Sequence, residues 1–203
     1  MASAIRVLSV RRIAEEIQNA YVKQRTEKIE AQYLRPRGWT IKSFYEEMAG
    51  KVPGEIFFTV DRQIATYEHN LSVIIAGVDE QAHVYSIVSP GILDCWDGMG
   101  CYAVGSGFSH AMPSFYLSNW QPGLSLGSLV FMTFEAKRRA EVAPGVGKVT
   151  DMAYITKDGI TTLESSHLEK LESLWTDKSI PISDEFNQRI EALFKKGGGS
   201  SGS

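Results

Sequence analysis

The chain contains 203 residues, of which 43% are hydrophobic and 22% are charged, as is typical of a soluble globular protein. Its net charge of −3, with no basic stretch interleaved with aromatic residues, excludes long-range attraction to nucleic acid or to an anionic membrane. No apolar run reaches transmembrane length or resembles a signal peptide. Cys95 and Cys101 have the spacing of neither a zinc knuckle nor a redox pair, which favours reduced thiols in the cytoplasm.

The first third of the chain has the periodicity of amphipathic helices. Apolar residues recur at helical spacing on one face, and charged residues occupy the others. Three helices are predicted there: residues 4–34, a second from the N-cap Thr40 to about Gly50, and residues 55–69.

β-Branched residues become frequent after residue 70, which indicates strands. The turn at Asp79–Glu80 joins two of them into a hairpin, and Pro90–Gly91 opens a loop. The predicted strands and loop are residues 71–78, residues 82–88, the loop 90–100 and a third strand at residues 101–104.

The remainder alternates helices with a closing hairpin. Pro144–Gly145 ends a long helix, because proline cannot continue a helix and glycine accepts a positive φ. The predicted elements are a short helix after residue 107, a helix over 125–142, strands at 149–155 and 160–163 joined by a turn at 157–159, and a helix over 165–175. With no βαβ alternation, this order predicts an α+β fold with antiparallel pairing.

The predicted organisation is one domain over residues 1–178, followed by a tail. Residues 179–196 include an amphipathic helix that is expected to dock on another surface. Residues 197–203 read Gly-Gly-Gly-Ser-Ser-Gly-Ser, the composition of an engineered flexible linker.

An oppositely charged pair on the 125–142 helix is the first candidate site. At about 100° per residue, Lys137 and Glu141 continue the face that carries Val130 and Phe134, whereas Glu135 points the other way. This i,i+4 pair is therefore expected on the core side, just before a glycine-bearing loop. It is either a salt bridge that closes the helix end or part of a functional cleft.

The sequence Gly105–Ser106–Gly107 is the second candidate, because it follows a predicted strand and opens a helix. Its amides are suited to an anion or oxyanion site, although a tight turn explains the same glycines. Gly147 and Lys148 superficially suggest a phosphate loop, but the first glycine is missing and the loop runs from helix to strand. The four histidines have no ligand spacing, so neither a metal nor a cofactor is predicted.

Four segments in order resemble the proteasome-type N-terminal-nucleophile hydrolases. They are Leu71-Ser-Val-Ile-Ile-Ala-Gly-Val-Asp-Glu with His83-Val-Tyr-Ser-Ile-Val, then Tyr102-Ala-Val-Gly-Ser-Gly, the helix from Ser125, and Val149-Thr-Asp-Met-Ala-Tyr-Ile-Thr-Lys-Asp-Gly-Ile. The string Glu135-Ala-Lys-Arg-Arg-Ala-Glu-Val-Ala-Pro-Gly-Val-Gly-Lys is similar to a prokaryotic, proteasome-like branch of that superfamily.

The resemblance implies a four-layer αββα sandwich of antiparallel sheets, incomplete in this chain, and assembly into homo-oligomeric rings. It also implies peptide-bond hydrolysis by an N-terminal threonine whose own α-amine is the base. The chain departs from that pattern, because it begins Met1-Ala2-Ser3 and enters a helix at once, so the nucleophile is absent. Ala143 and Val146 also stand where the family has an Asp and a Ser.

Three functions follow from the resemblance. The first is the carboxy-terminal part of a proteasome-like hydrolase, inactive until a second chain supplies the opening strands and nucleophile. The others are a catalytically silent ring-forming subunit and a small-molecule amide hydrolase. The supporting site residues under the first function are Ser106, Gly107, Lys137, Glu141, Gly147 and Lys148.

Overall fold

The structure is a computed structural model that describes residues 9–121, 123–176 and 188–192. The predicted domain boundary after residue 178, most of the tail helix and the linker at 197–203 lie outside these residues. The described helices are α1 (Val10–Ile29), α2 (Ile41–Glu47), α3 (Gly54–Ala65), α4 (Phe108–Leu117), α5 (Leu126–Ala140) and α6 (Ser165–Thr176). The described strands are β1 (Val73–Val78), β2 (Ala82–Val88), β3 (Ile92–Cys95), β4 (Ala153–Thr156) and β5 (Gly159–Thr162).

The fold is mixed α+β, and its strands form two small antiparallel sheets. One sheet has the order β1-β2-β3, and the other is the hairpin β4-β5. The predicted α+β class with antiparallel pairing is therefore confirmed. Within the described residues, no helix combines the length and the apolarity that crossing a membrane requires.

The third strand differs from its prediction. Pro90–Gly91 does not open a long loop but turns the chain straight back, so that Val88 pairs with Ile92 and Tyr85 with Cys95. The predicted strand at 101–104 is wrong, because that segment belongs to no regular element and pairs with no strand. Its first residue, Cys101, is instead buried in a helical core.

The starts of α2 and α5 were predicted correctly because their caps are local, whereas α1 begins at Val10, after the N-cap Ser9, and not at the predicted residue 4. Thr40 and Ser43 form a reciprocal capping box at α2, and the hydroxyl of Ser125 accepts from the amide of Ser128 at α5. α1 ends at Ile29 and continues as a π-helical turn over Glu30–Leu34.

The chain divides into two compact units across the β1–β2 hairpin. The first unit comprises the residues up to Ala76 together with Tyr85–Cys95, and the second comprises Gly77–Val84 and the residues from Trp96 onward. In the first unit, α1 packs on one face of the sheet through Ala14 and Tyr21, while Phe44 is central to a separate core formed with α3.

α5 is the central helix of the second unit, because both of its sides are covered. Met132 and Ala136 pack toward α4, whereas Phe134 packs with Leu171 of α6. Residues 188–192, the described part of the predicted tail, are helical, and Ile190 is buried in the same cluster as Phe134.

Candidate functional site

The turn before α4 and the loop after α5 lie against each other. Gly107 is buried, and a Cβ added there would lie 2.7 Å from Cβ of Ala140 and 3.1 Å from Cγ2 of Val146. A Cβ on Gly145 would likewise lie 3.7 Å from Oγ of Ser106. The close packing at Gly107 requires glycine, because any side chain there would displace the end of α5.

Lys137 ties the end of α5 to the loop that follows it. Its ammonium group donates to the carboxylate of Glu141 and, at 2.9 Å, to the carbonyl oxygen of Gly147. The exposed fractions of the two charged side chains are 24% for Lys137 and 12% for Glu141. The predicted i,i+4 contact is thus present, and it is partly buried.

Arg138 gives Glu141 a second cationic partner. Its Nη1 donates to both carboxylate oxygens of Glu141, at 2.8 and 3.0 Å, and its Nε donates to Glu172 of α6 at 2.6 Å. The guanidinium carbon also lies 5.4 Å from the centre of the Phe134 ring. The four charged groups therefore alternate in sign and link α5 to α6.

This network fixes the ionisation of Glu141. Burial alone would raise the pKa of Glu141, but the hydrogen bonds donated by Lys137 and Arg138 outweigh it, and the pKa is lowered. Glu141 therefore remains a carboxylate at neutral pH. A carboxylate engaged by two cations holds structure rather than accepting a proton from a substrate.

Glu135 was predicted to point away from the core, and this is wrong. Its side chain is only 9% exposed; it accepts a hydrogen bond from the Ser118 hydroxyl at 2.7 Å and one from Arg139 at 2.7 Å. Arg139 in turn lies over the ring of Trp175, 5.3 Å from its centre. The prediction assumed that only one face of α5 is buried. It failed because other elements cover α5 on two sides, so residues on opposite faces of the helix are both buried. The i,i+4 spacing of Glu135 and Arg139 was the available signal for this pair.

The structure brings together most of the predicted site residues. Ser106 and Gly107 lie on one side of the contact, and Lys137, Glu141 and Gly147 lie on the other. Lys148 is exposed, and within the described part of the chain its side chain makes no ion pair.

The arrangement holds no activated nucleophile among the described residues. Ser106 is exposed, and no His, Lys or carboxylate of the described ranges hydrogen-bonds its hydroxyl. The Ser118 hydroxyl does reach a carboxylate, but that carboxylate is buried and paired with Arg139. Within residues 9–121, 123–176 and 188–192, no group of three or more His, Cys, Asp or Glu side chains could hold a metal ion.

Comparison with known proteins adds no relative: no protein-family model matches the chain, and no curated protein matches it.

Proposed function

We propose that the chain is the carboxy-terminal part of a proteasome-like N-terminal-nucleophile hydrolase, which cleaves peptide bonds once a nucleophile is supplied from outside the described residues. The observation that carries the proposal is the packing of the 105–107 turn against the end of α5, with Gly107 fitted against Ala140 and Val146. This contact brings together two of the segments that resemble the family, the one that begins at Tyr102 and the helix that begins after Ser125. The turn would border the reactive centre, and α5 would hold it.

The second strand of the closing hairpin supports a need for more strands. All four residues of β5 are exposed, and the Ile160 side chain is 72% exposed on a strand that pairs only with β4 in the described sheet. A lone two-stranded hairpin is marginally stable, and an apolar open edge pairs with other strands. We propose that further strands complete a four-layer αββα sandwich there.

The charged residues then have positioning roles. Lys137, paired with Glu141, holds the loop after α5 through the carbonyl oxygen of Gly147. That loop supports the Ser106–Gly107 turn, because Val146 lies next to Gly107. Lys148, exposed at the loop, would face substrate or solvent. The nucleophile would be a Thr, Ser or Cys whose free α-amine acts as the base. The proposal includes ring assembly from copies of the chain and a cytoplasmic location.

A catalytically silent, ring-forming subunit is the second candidate, and the ion-pair network favours it. Glu141 is engaged by Lys137 and Arg138, so it is not poised to exchange protons at neutral pH. A scaffold subunit requires only that the 105–107 turn and α5 hold their positions, and it requires no group that exchanges protons.

A peptide epoxyketone distinguishes the two candidates, because stable capture needs a hydroxyl or thiol beside a free α-amine. Purified chain alone should neither hydrolyse fluorogenic peptides nor take up the probe. Material isolated as its natural assembly should take up the probe on an amino-terminal Thr, Ser or Cys. An assembly that is intact, unlabelled and inactive would overturn the hydrolase proposal in favour of the scaffold, and labelling of Ser106 would overturn both.

A further inference from the structure

His83 lies between two carboxylates near the tip of the β1–β2 hairpin. Its Nδ1 is 2.6 Å from Oδ2 of Asp97, and its Nε2 is 3.0 Å from Oδ1 of Asp79. The imidazole is 14% exposed, so water has little access to replace either contact. All three residues belong to the second compact unit.

Both carboxylates are also anchored to the backbone, so the imidazole connects two pieces of chain. Asp97 accepts from the amide of Val84 at 2.9 Å, next to the bond between the Trp96 amide and the Val84 carbonyl at 2.8 Å. Asp79 accepts from the amide of Glu80 at 2.6 Å in the hairpin turn. His83 therefore fastens the turn at one nitrogen and the segment after β3 at the other.

The protonation state of His83 follows from which groups in these two contacts can donate a hydrogen bond. A carboxylate only accepts, so both ring nitrogens must carry a proton for both contacts to be hydrogen bonds. Only the imidazolium satisfies this condition. The hydrogen bond that the ring donates to Asp97 raises the pKa of His83, burial opposes this shift, and the hydrogen bond donated to Asp79 raises the pKa further.

Other charged groups around the hairpin do not replace either carboxylate. β1 and β2 carry no other charged side chain, and the turn adds only Glu80, which is exposed. On β3, Asp94 is paired with Ser86, which alternates to the opposite face of β2 from His83.

Loss of one proton must break one of the two contacts. A neutral ring keeps one N–H and turns a lone pair toward the other carboxylate, which is repulsive. The contact with Asp97 is the shorter one, and Asp97 is fixed by the amide of Val84, which lies on the central strand β2. The contact with Asp79 is longer, and the turn that follows Asp79 is exposed at Glu80 and Gln81.

We propose that His83 is a proton-operated clamp on the β1–β2 hairpin: the imidazolium holds the turn through Asp79, and loss of the Nε2 proton releases the turn while Asp97 stays bound. The device responds to pH on the alkaline side of the ordinary histidine range. The proposal is independent of the proteasome-like function, because it concerns a turn that the hydrolase proposal does not use.

The test is a titration of the full chain followed by ¹⁵N–¹H nuclear magnetic resonance of the imidazole nitrogens. We expect His83 to titrate above the ordinary value of 6.5 and to become the Nδ1–H tautomer when neutral. Amide hydrogen exchange at Glu80 and Gln81 should accelerate over the same pH range, after correction for intrinsic exchange, whereas the Val84 amide should stay protected. A neutral ring protonated on Nε2, or a Val84 amide that loses protection together with the turn, would overturn the proposal.

Two conservative variants sharpen the test, and both keep the shape of the site. Asp79→Asn should lower the titration midpoint of His83 and leave the tautomer unchanged. Asp97→Asn should lower the midpoint and transfer the remaining proton to Nε2, opposite the surviving carboxylate. Identical His83 titrations in the parent and both variants would contradict the clamp.

Discussion

Replacing Gly107 by alanine tests the contact on which the candidate site depends. The backbone at Gly107 has φ of −86° and ψ of 1°, which an alanine can adopt, so the effect of the substitution is steric. The added methyl group would meet Cβ of Ala140 at 2.7 Å and the carbonyl oxygen of Ala140 at 3.3 Å. Neither atom can rotate away, because both belong to the α5 backbone or are directly attached to it.

Overpacking of this kind costs about 1–3 kcal/mol of unfolding free energy. For a chain of about 200 residues, that corresponds to a fall in melting temperature of roughly 2–12 °C. Urea unfolding followed by circular dichroism measures the free energy directly, and an unchanged m-value would show that the unfolded state is unaffected.

Gly147→Ala is the matched control, because a Cβ there meets nothing within 4 Å and its φ lies outside the left-handed region. It should change stability by less than about 0.5 kcal/mol. The double variant Gly107→Ala/Ala140→Gly removes the shorter clash, so it should be less destabilised than the sum of the two single variants. A Gly107→Ala protein as stable as the parent would refute the packing of the turn against α5.

Three further predictions follow from the same region. Glu141→Gln should lower the free energy of unfolding by about 1–3 kcal/mol, because it removes the carboxylate that pairs with the partly buried Lys137. The control Glu46→Gln, in an exposed i,i+4 pair, should lower it by under about 0.5 kcal/mol. Equal losses in urea unfolding would contradict this prediction. Folding lowers the pKa of Glu141, so the ionised side chain stabilises the folded state at pH values above its unfolded-state pKa of about 4.5. This stabilisation is lost as the pH falls through the folded-state pKa. The free energy of unfolding of Glu141→Gln should therefore depend less steeply on pH in acid than that of the parent. Ile190→Ala should cost roughly 2–5 kcal/mol, and no loss would mean that residues 188–192 do not pack as described.

Local signals in the sequence account for what was predicted correctly. Helix caps such as Thr40 and Ser125 involve residues three apart, so neighbouring residues determine them. The hairpin turn at Lys157–Asp158 is local for the same reason, and β4 and β5 flank it.

Long-range packing accounts for the misses. A four-residue strand such as β3 carries too little periodicity to distinguish it from loop, and only its pairing with β2 defines it. The surroundings of Glu135 depend on Ser118, which follows α4, and on its partner Arg139, which lies over Trp175 of α6; the apolar stripe of α5 predicts neither contact. Lys137 and Glu141 were found because their spacing alone places them together, whereas the contribution of Glu172 required the fold of α6.

The most direct test of the central claim is intact-mass and amino-terminal analysis of the assembly purified through this chain from the cells that make it. The account predicts a ring containing the chain and a polypeptide that begins with Thr, Ser or Cys and carries the epoxyketone label. A single folded 22.5 kDa species with no peptidase activity and no second polypeptide would contradict it.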